Sequence, residues 1–192
     1  MQKIMFNDKY GLTQAVLDCR KTMTRRVMVK QPSWVSGDGH VVQDCLPPKF
    51  RRGDIVAVAQ NLRDMGYDPR DTKHKPGEIW GLDHSPAWTN KMFVSASECI
   101  HRIRIIDVRA ERLQDISDDD CLREGIYKQG ARPGVPDLYA FDTCLDQYGD
   151  VLAKQWYKTP RKAFSALIDK VSGKGTWERN PWVFVYEFEL FR

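Results

Sequence analysis

The chain is expected to fold as an α+β domain built on a small, mixed, largely closed sheet with helices plugging its ends. Three observations lead there. At 192 residues, with 42% hydrophobic and 29% charged side chains, it can bury one real core but not two comfortable ones. Apolar alternation recurs in four separated stretches, each read as a strand. The elements run helix, strand, strand, strand, helix, helix, strand, without the regular alternation of a doubly wound sheet.

Taken in order, Leu12, Ala15, Val16 and Cys19 fall at i, i+3, i+4 and i+7, one apolar helical stripe with Asn7 or Asp8 as its cap. That helix should stop near Cys19 to Lys21. Residues 22–29 (TMTRRVMV) then alternate as a strand, with Thr22, Thr24 and Arg26 on one face and Met23, Arg25 and Val27 on the other. A Gly53-Asp54 turn leads into a short buried strand from Ile55 to Ala59. Residues 61–91 are rich in turn formers and are read as an elaborated loop.

The stretch ECIHRIRIIDVRAERL is a strand whose phase shifts around Ile106 and Asp107, as a bulge would make it. Ser117 caps a helix carrying Asp118, Asp119 and Asp120 in its first turn and stopping at Gly125. Consecutive positions on a helix diverge by about 100°, so those aspartates are read as capping rather than as a metal cluster. Residues 127–157 form a second insertion without a period. Thr159 and Pro160 start a helix that buries Ala163, Phe164, Leu167, Ile168 and Val171. NPWVFVYEFELF closes the chain as a strand, with Phe184, Tyr186, Phe188 and Leu190 on one side and Glu187 and Glu189 on the other.

A balance of 30 Lys and Arg against 26 Asp and Glu gives +4, which permits a polyanionic partner without demanding one. The five cysteines are widely spaced and form no C-x-x-C, and the four histidines form no H-x-x-x-H. A zinc site is therefore not expected, and an odd count without a framework suits a reducing cytosol. The N-terminus lacks an apolar signal core and no run approaches a membrane span, so a cytoplasmic, soluble protein without membrane partners is expected.

One short stretch, DCRKTMTRRV, residues 18–27, packs four basic side chains and three hydroxyl or thiol groups into ten positions. On its residues alone it is either a solvated helix end before an edge strand or the floor of a site for something anionic. Several stretches together, CRKTMTRR, RRGDIVAV, NKMF, HRIRIIDVRAERLQDISDDDCLREGI and NPWVFVYEFEL, resemble the ASCH domains of the PUA-like superfamily, and more narrowly their phage- and prophage-encoded branch. The resemblance spans about residue 4 to 191, interrupted by the two insertions.

That resemblance implies a single PUA-like domain: a small mixed β-barrel of five to six strands, helices packed at its ends, and a cleft between them. It implies RNA or a modified nucleoside as partner and no cofactor. Some bacterial ASCH proteins are amidohydrolases that remove the acetyl group of 4-acetylcytidine, and another has been described as a ribonuclease. Laid on the amidohydrolase motif, Lys21 and Thr24 fall on the functional positions, and Glu124 on the acidic one after the middle strand. The motif's usual glycine is Cys19 here, and Ala57-Val58-Ala59-Gln60 stands where the phage branch commonly has Trp-Val-Arg-Glu.

Amide hydrolysis needs a nucleophile, a base and a proton donor for the leaving amine. Thr24, Lys21 and Glu124 are the candidates. Arg20, Thr22, Arg25, Arg26, Arg102 and Arg104 are candidates for holding an anion or an RNA backbone, Arg26 above all because it shares a face with Thr24. Trp34, Trp80, Trp88 and Tyr67 can stack on bases or seal a small core. Glu124 can equally be a surface residue paired with Arg123 or Lys128. Three functions stay open at this level: an RNA- or nucleoside-binding module, an amidohydrolase, and an accessory protein acting through a protein partner.

Overall fold

The computed structural model describes residues 1–32, 34–35, 41–43, 46–70, 81–130, 136–145 and 151–191. In chain order the strands and helices are β1 (Lys3–Ile4), α1 (Leu12–Leu17), β2 (Met23–Val27), β3 (Trp34–Val35), β4 (Val41–Gln43), β5 (Ile55–Val58), β6 (Arg102–Arg112), α2 (Asp118–Arg123), β7 (Tyr127–Lys128), β8 (Tyr139–Ala140), β9 (Thr143–Leu145), β10 (Val151–Ala153), α3 (Pro160–Ser172), α4 (Thr176–Arg179) and β11 (Trp182–Phe191). Five strands make one mainly antiparallel sheet in the order β1-β5-β6-β11-β2. The fold is mixed α+β, as expected, but the sheet is not a closed barrel. β1 and β2 are its edges, and the two residues of β1 offer too short a ladder to close it. Among the described residues no helix is long and apolar enough to cross a membrane.

The chain divides into two compact units. The first comprises Met1–Phe6, Ile55–Arg104 and Leu190–Arg192. Here β1 pairs parallel to β5, and β5 pairs antiparallel to β6, with Val56 opposite Ile103. The first insertion is not a bare loop. Its described part makes two 3-10 turns, Leu82–His84 and Pro86–Trp88, and packs Leu62, Leu82 and Ala87 with Val94 and Cys99 around Ala57. Tyr67 and Trp88 lie against that cluster, so they seal a small core rather than stand free for stacking. The side chains of Trp34 and Trp80 lie outside the described residues. Lys3 ties the unit's start to its insertion by donating to the carbonyls of Lys91, Met92 and Val94.

The second unit comprises Asn7–Asp54 and Ile105–Glu189. Asn7 caps a 3-10 turn, Asp8–Tyr10, and not α1, whose N-cap is Gly11 at φ 63°. β2 pairs antiparallel with β11, Thr24 opposite Tyr186 and Arg26 opposite Phe184. Thr159 caps α3 by accepting from the Lys162 N–H, and Ala163, Phe164, Leu167 and Ile168 are buried as expected. Val171 is 37% exposed instead, because the apolar stripe ends one turn before the helix does. The second insertion carries two hairpins, β7 with β8 and β9 with β10, which its aperiodic composition did not foretell.

Both ends of β6 show why alternation there breaks phase. Ile103 and Ile105 are buried, yet farther along it is Ala110. Beyond the strand, Arg161 of α3 donates to the Ile116 carbonyl at 2.7 Å and to that of Gln114. Its guanidinium also covers the Trp177 ring, which meets Phe164 edge-on. This clamp fixes the approach to α2, and so the place where α2 ends.

α1 ends in a Schellman motif. The Cys19 N–H bonds the Val16 carbonyl and the Arg20 N–H bonds that of Ala15, with Cys19 at φ 57° in the left-handed region. A side chain there costs about 1–2 kcal/mol that glycine does not. Cys19→Gly is therefore expected to stabilise the protein by about 1 kcal/mol, read as a higher urea midpoint at unchanged slope.

Candidate functional site

Two helix ends of the same design meet in the second unit. α2 stops as α1 does, the Gly125 N–H bonding Leu122 O and the Ile126 N–H bonding Cys121 O, with Gly125 at φ 100°. Ser117 caps its start by accepting from the Asp120 N–H at 3.1 Å. The first motif turns the chain into Lys21, and the second has Glu124 as its cap residue. The Thr22 N–H donates to the Arg123 carbonyl at 2.9 Å, while the Thr22 carbonyl accepts from Phe188 N–H, so the two ends are tied through the backbone.

Lys21 and Glu124, 103 residues apart, are 2% and 4% exposed. Lys21 Nζ lies 2.6 Å from Glu124 Oε2 and 2.7 Å from the Glu124 carbonyl oxygen. A Cβ at Gly125 would sit 3.5 Å from Lys21 Cβ and Cδ and 3.4 Å from Leu12 Cδ2, ordinary contact distances, so it is the φ of 100° that favours glycine there. Desolvation pushes the Lys21 pKa below the ordinary 10.5, against the pull of Glu124, and Arg26 and Arg25 add to the depression.

Thr24 is 5% exposed, and among the described residues its hydroxyl makes no hydrogen bond. Strand alternation puts it on one face with Arg26 and opposite Tyr186. Arg26 is exposed by surface area yet crowded: desolvation lowers its pKa while Glu124 and Tyr186 oppose the change. Tyr186 is buried, its oxygen accepts from the Lys49 N–H at 3.0 Å, and burial raises its pKa. Lys21, Thr24, Arg26, Glu124 and Tyr186 thus share one neighbourhood.

Arg25 does not belong to an anion-binding face. It is 4% exposed, with Nη2 2.7 Å from both Glu111 Oε1 and Asp120 Oδ2, and Nη1 3.2 Å from Glu124 Oε1. Burial works against its charge, but Glu124 and Glu111 outweigh that and raise its pKa. Thr22 is also engaged, its hydroxyl accepting from Arg123 Nε at 3.3 Å. Arg20 is exposed and pairs with Asp18 at 3.3 Å. Arg102 and Arg104 belong to the first unit, Arg104 lying 4.8 Å over the Phe191 ring.

Residue types alone did not reveal the rest of the network. Asp120 caps nothing by itself; its carboxylate binds Arg25 and, at 3.2 Å, Arg109. Arg109 also meets Glu111 at 3.3 Å, and Arg123 pairs with Glu187. Glu124 pairs with neither Arg123 nor Lys128, the latter bonding Asp137 at 2.8 Å. Alternating charges in VRAER and VYEFE were the available signal, but it becomes readable only once the strand neighbours are known. Among the described residues no group of three or more His, Cys, Asp or Glu side chains can hold a metal. The Cys121 thiol beside this network is buried, and desolvation pushes its pKa up to about 12. A hollow of about 510 Å³ opens along Val27–Val29, Arg112, Arg179 and Trp182 and contains none of Lys21, Thr24 and Glu124.

No family model matches the chain, and neither a curated protein nor a solved structure matches it significantly.

Lys21→Met removes the Nζ hydrogen bonds to the Glu124 carbonyl and Oε2 and is expected to lower stability by about 1–3 kcal/mol, measured by urea unfolding. Because the folded Lys21 pKa lies below 10.5, the unfolded chain takes up the proton first as pH falls. The lysine's contribution is complete above 10.5 and is lost as pH drops through the folded value, so the wild-type urea midpoint should fall across that window and the Lys21→Met midpoint should fall less. Gly125→Ala should cost about 1–3 kcal/mol, since it places a side chain on a backbone at φ 100°.

Proposed function

We propose that the protein is a nucleoside-binding domain of ASCH type, PUA-like in fold, whose Lys21, Thr24 and Glu124 hydrolyse the amide of an acylated cytosine such as 4-acetylcytidine. The observation that carries this reading is the desolvated lysine, held 2.6 Å from a carboxylate at the start of the strand that presents Thr24. A neutral amine has two N–H donors and one lone pair. Glu124 offers that amine two acceptors, its carbonyl and Oε2, and in this reading the lone pair takes a proton from a hydroxyl.

In this reading Thr24 Oγ attacks the acyl carbon while Lys21 accepts its proton. Arg26, charged and on the same strand face, stabilises the oxyanion. Collapse breaks the C–N bond, and Lys21, assisted by Glu124, returns the proton to the exocyclic amine of cytosine. Water then cleaves the threonyl ester to release the carboxylate.

A second reading, RNA or nucleoside binding without chemistry, is favoured by Arg26, the exposed cation of this face. Purified protein incubated with 4-acetylcytidine is expected to yield cytidine and acetate in equal amounts, followed by chromatography. Lys21→Ala and Thr24→Ala should each lose about 10²–10⁴-fold. The rate should rise with pH, with a midpoint below 10.5. Absence of product from any acylated cytosine, alongside salt-dependent RNA binding that survives Thr24→Ala, would replace the first reading by the second.

A further inference from the structure

We infer that Arg25 is a positioning residue that divides Glu124, occupying Oε1 so that Oε2 alone is presented to Lys21. Its side chain is wholly enclosed, and each arm of its fork is committed. Nε meets Glu111 at 2.8 Å, Nη2 meets Glu111 and Asp120 at 2.7 Å, and Nη1 meets Glu124 at 3.2 Å and Met23 Sδ at 3.1 Å. Glu111 on β6 and Asp120 on α2 therefore lock the guanidinium, and the guanidinium in turn orients the Glu124 carboxylate. A planar fork can fix a carboxylate in this way, whereas an ammonium acts as a point charge.

The division has a chemical consequence. A carboxylate that already neutralises an arginine offers less counter-charge to a neighbouring ammonium. The charged groups facing Lys21 include Glu124 at the end of α2 and Arg25 and Arg26 from β2. Both arginines disfavour its proton, and Arg25 also draws on the carboxylate that favours it. The meaning of this for catalysis rests on the reading of Lys21 as a base; the division itself does not.

The test is a pH titration of the Lys21 side chain by NMR in the full chain labelled with ¹³C-lysine, the resonance assigned by its loss in Lys21→Met. Arg25→Met is expected to raise the proton affinity of Lys21 about tenfold, and Arg25→Lys, whose ammonium keeps the charge but not the fork, should raise it by less. If Arg25→Met unfolds the chain, the paired variant Arg25→Gln with Glu111→Gln, which removes one charge of each sign, should show the same rise. An unmoved titration in whichever of these folds overturns the inference. The same proteins assayed on 4-acetylcytidine separate the two ideas. Turnover by none of them, with the titration moved, removes the hydrolase reading and leaves the role of Arg25. Turnover with the titration unmoved does the reverse.

Discussion

The site depends on one contact, the 2.6 Å approach of Lys21 Nζ to Glu124 Oε2 in a place almost closed to water. Neither group is tolerable there alone, because taking an ion out of water costs several kcal/mol. The lysine is accepted because the same residue offers it a carboxylate and a carbonyl. The carboxylate is accepted because Arg25 takes its other oxygen. Around them the backbone is bent to fit: two left-handed residues, Cys19 and Gly125, end the two helices that bring the pair together.

A buried ion pair is weak evidence for stability, since well-packed apolar residues often serve as well or better. What this cluster specifies is arrangement. Arg25 reaches Glu111 on β6 and Asp120 and Glu124 on α2. Arg123 on α2 reaches Thr22 and Glu187, beside β2 and on β11. Any slip of β2 by one residue would turn Arg25 to the opposite face and exchange it for Thr24 or Arg26. Arg161, clamping the Gln114 and Ile116 carbonyls, does the equivalent work at the start of α2. The geometry of the site is therefore held from three elements, not from the motif alone.

Much of this was legible in the residues. Ser117, the three aspartates and Gly125 announced α2 with its cap and its stop, and the helix runs Asp118–Arg123. The misplacement of a cysteine where glycine belongs was visible as well, and Cys19 does adopt the left-handed conformation. What could not be read was the partner of each charge. In TMTRRVMV, Arg25 and Arg26 are adjacent and chemically identical, yet one is interior and the other exposed. Only the placement of α2 beside β2 decides between them, and that placement is a tertiary fact. The sheet's failure to close has a similar origin, since the length of β1 is set by what surrounds it. The strands of the second insertion are two or three residues long, too short to leave a period.

The enclosed charges also constrain how such a chain can drift through evolution. Arg25 serves three carboxylates at once, so losing it takes a cation partner from Glu111, Asp120 and Glu124 together, and losing any one of them leaves the guanidinium underserved. Single steps at these four positions pass through an ill-matched intermediate, whereas concerted exchanges do not. Divergent sequences that keep this architecture should accordingly vary at 25, 111 and 120 as a block, with an apolar residue at the first accompanied by uncharged ones at the others.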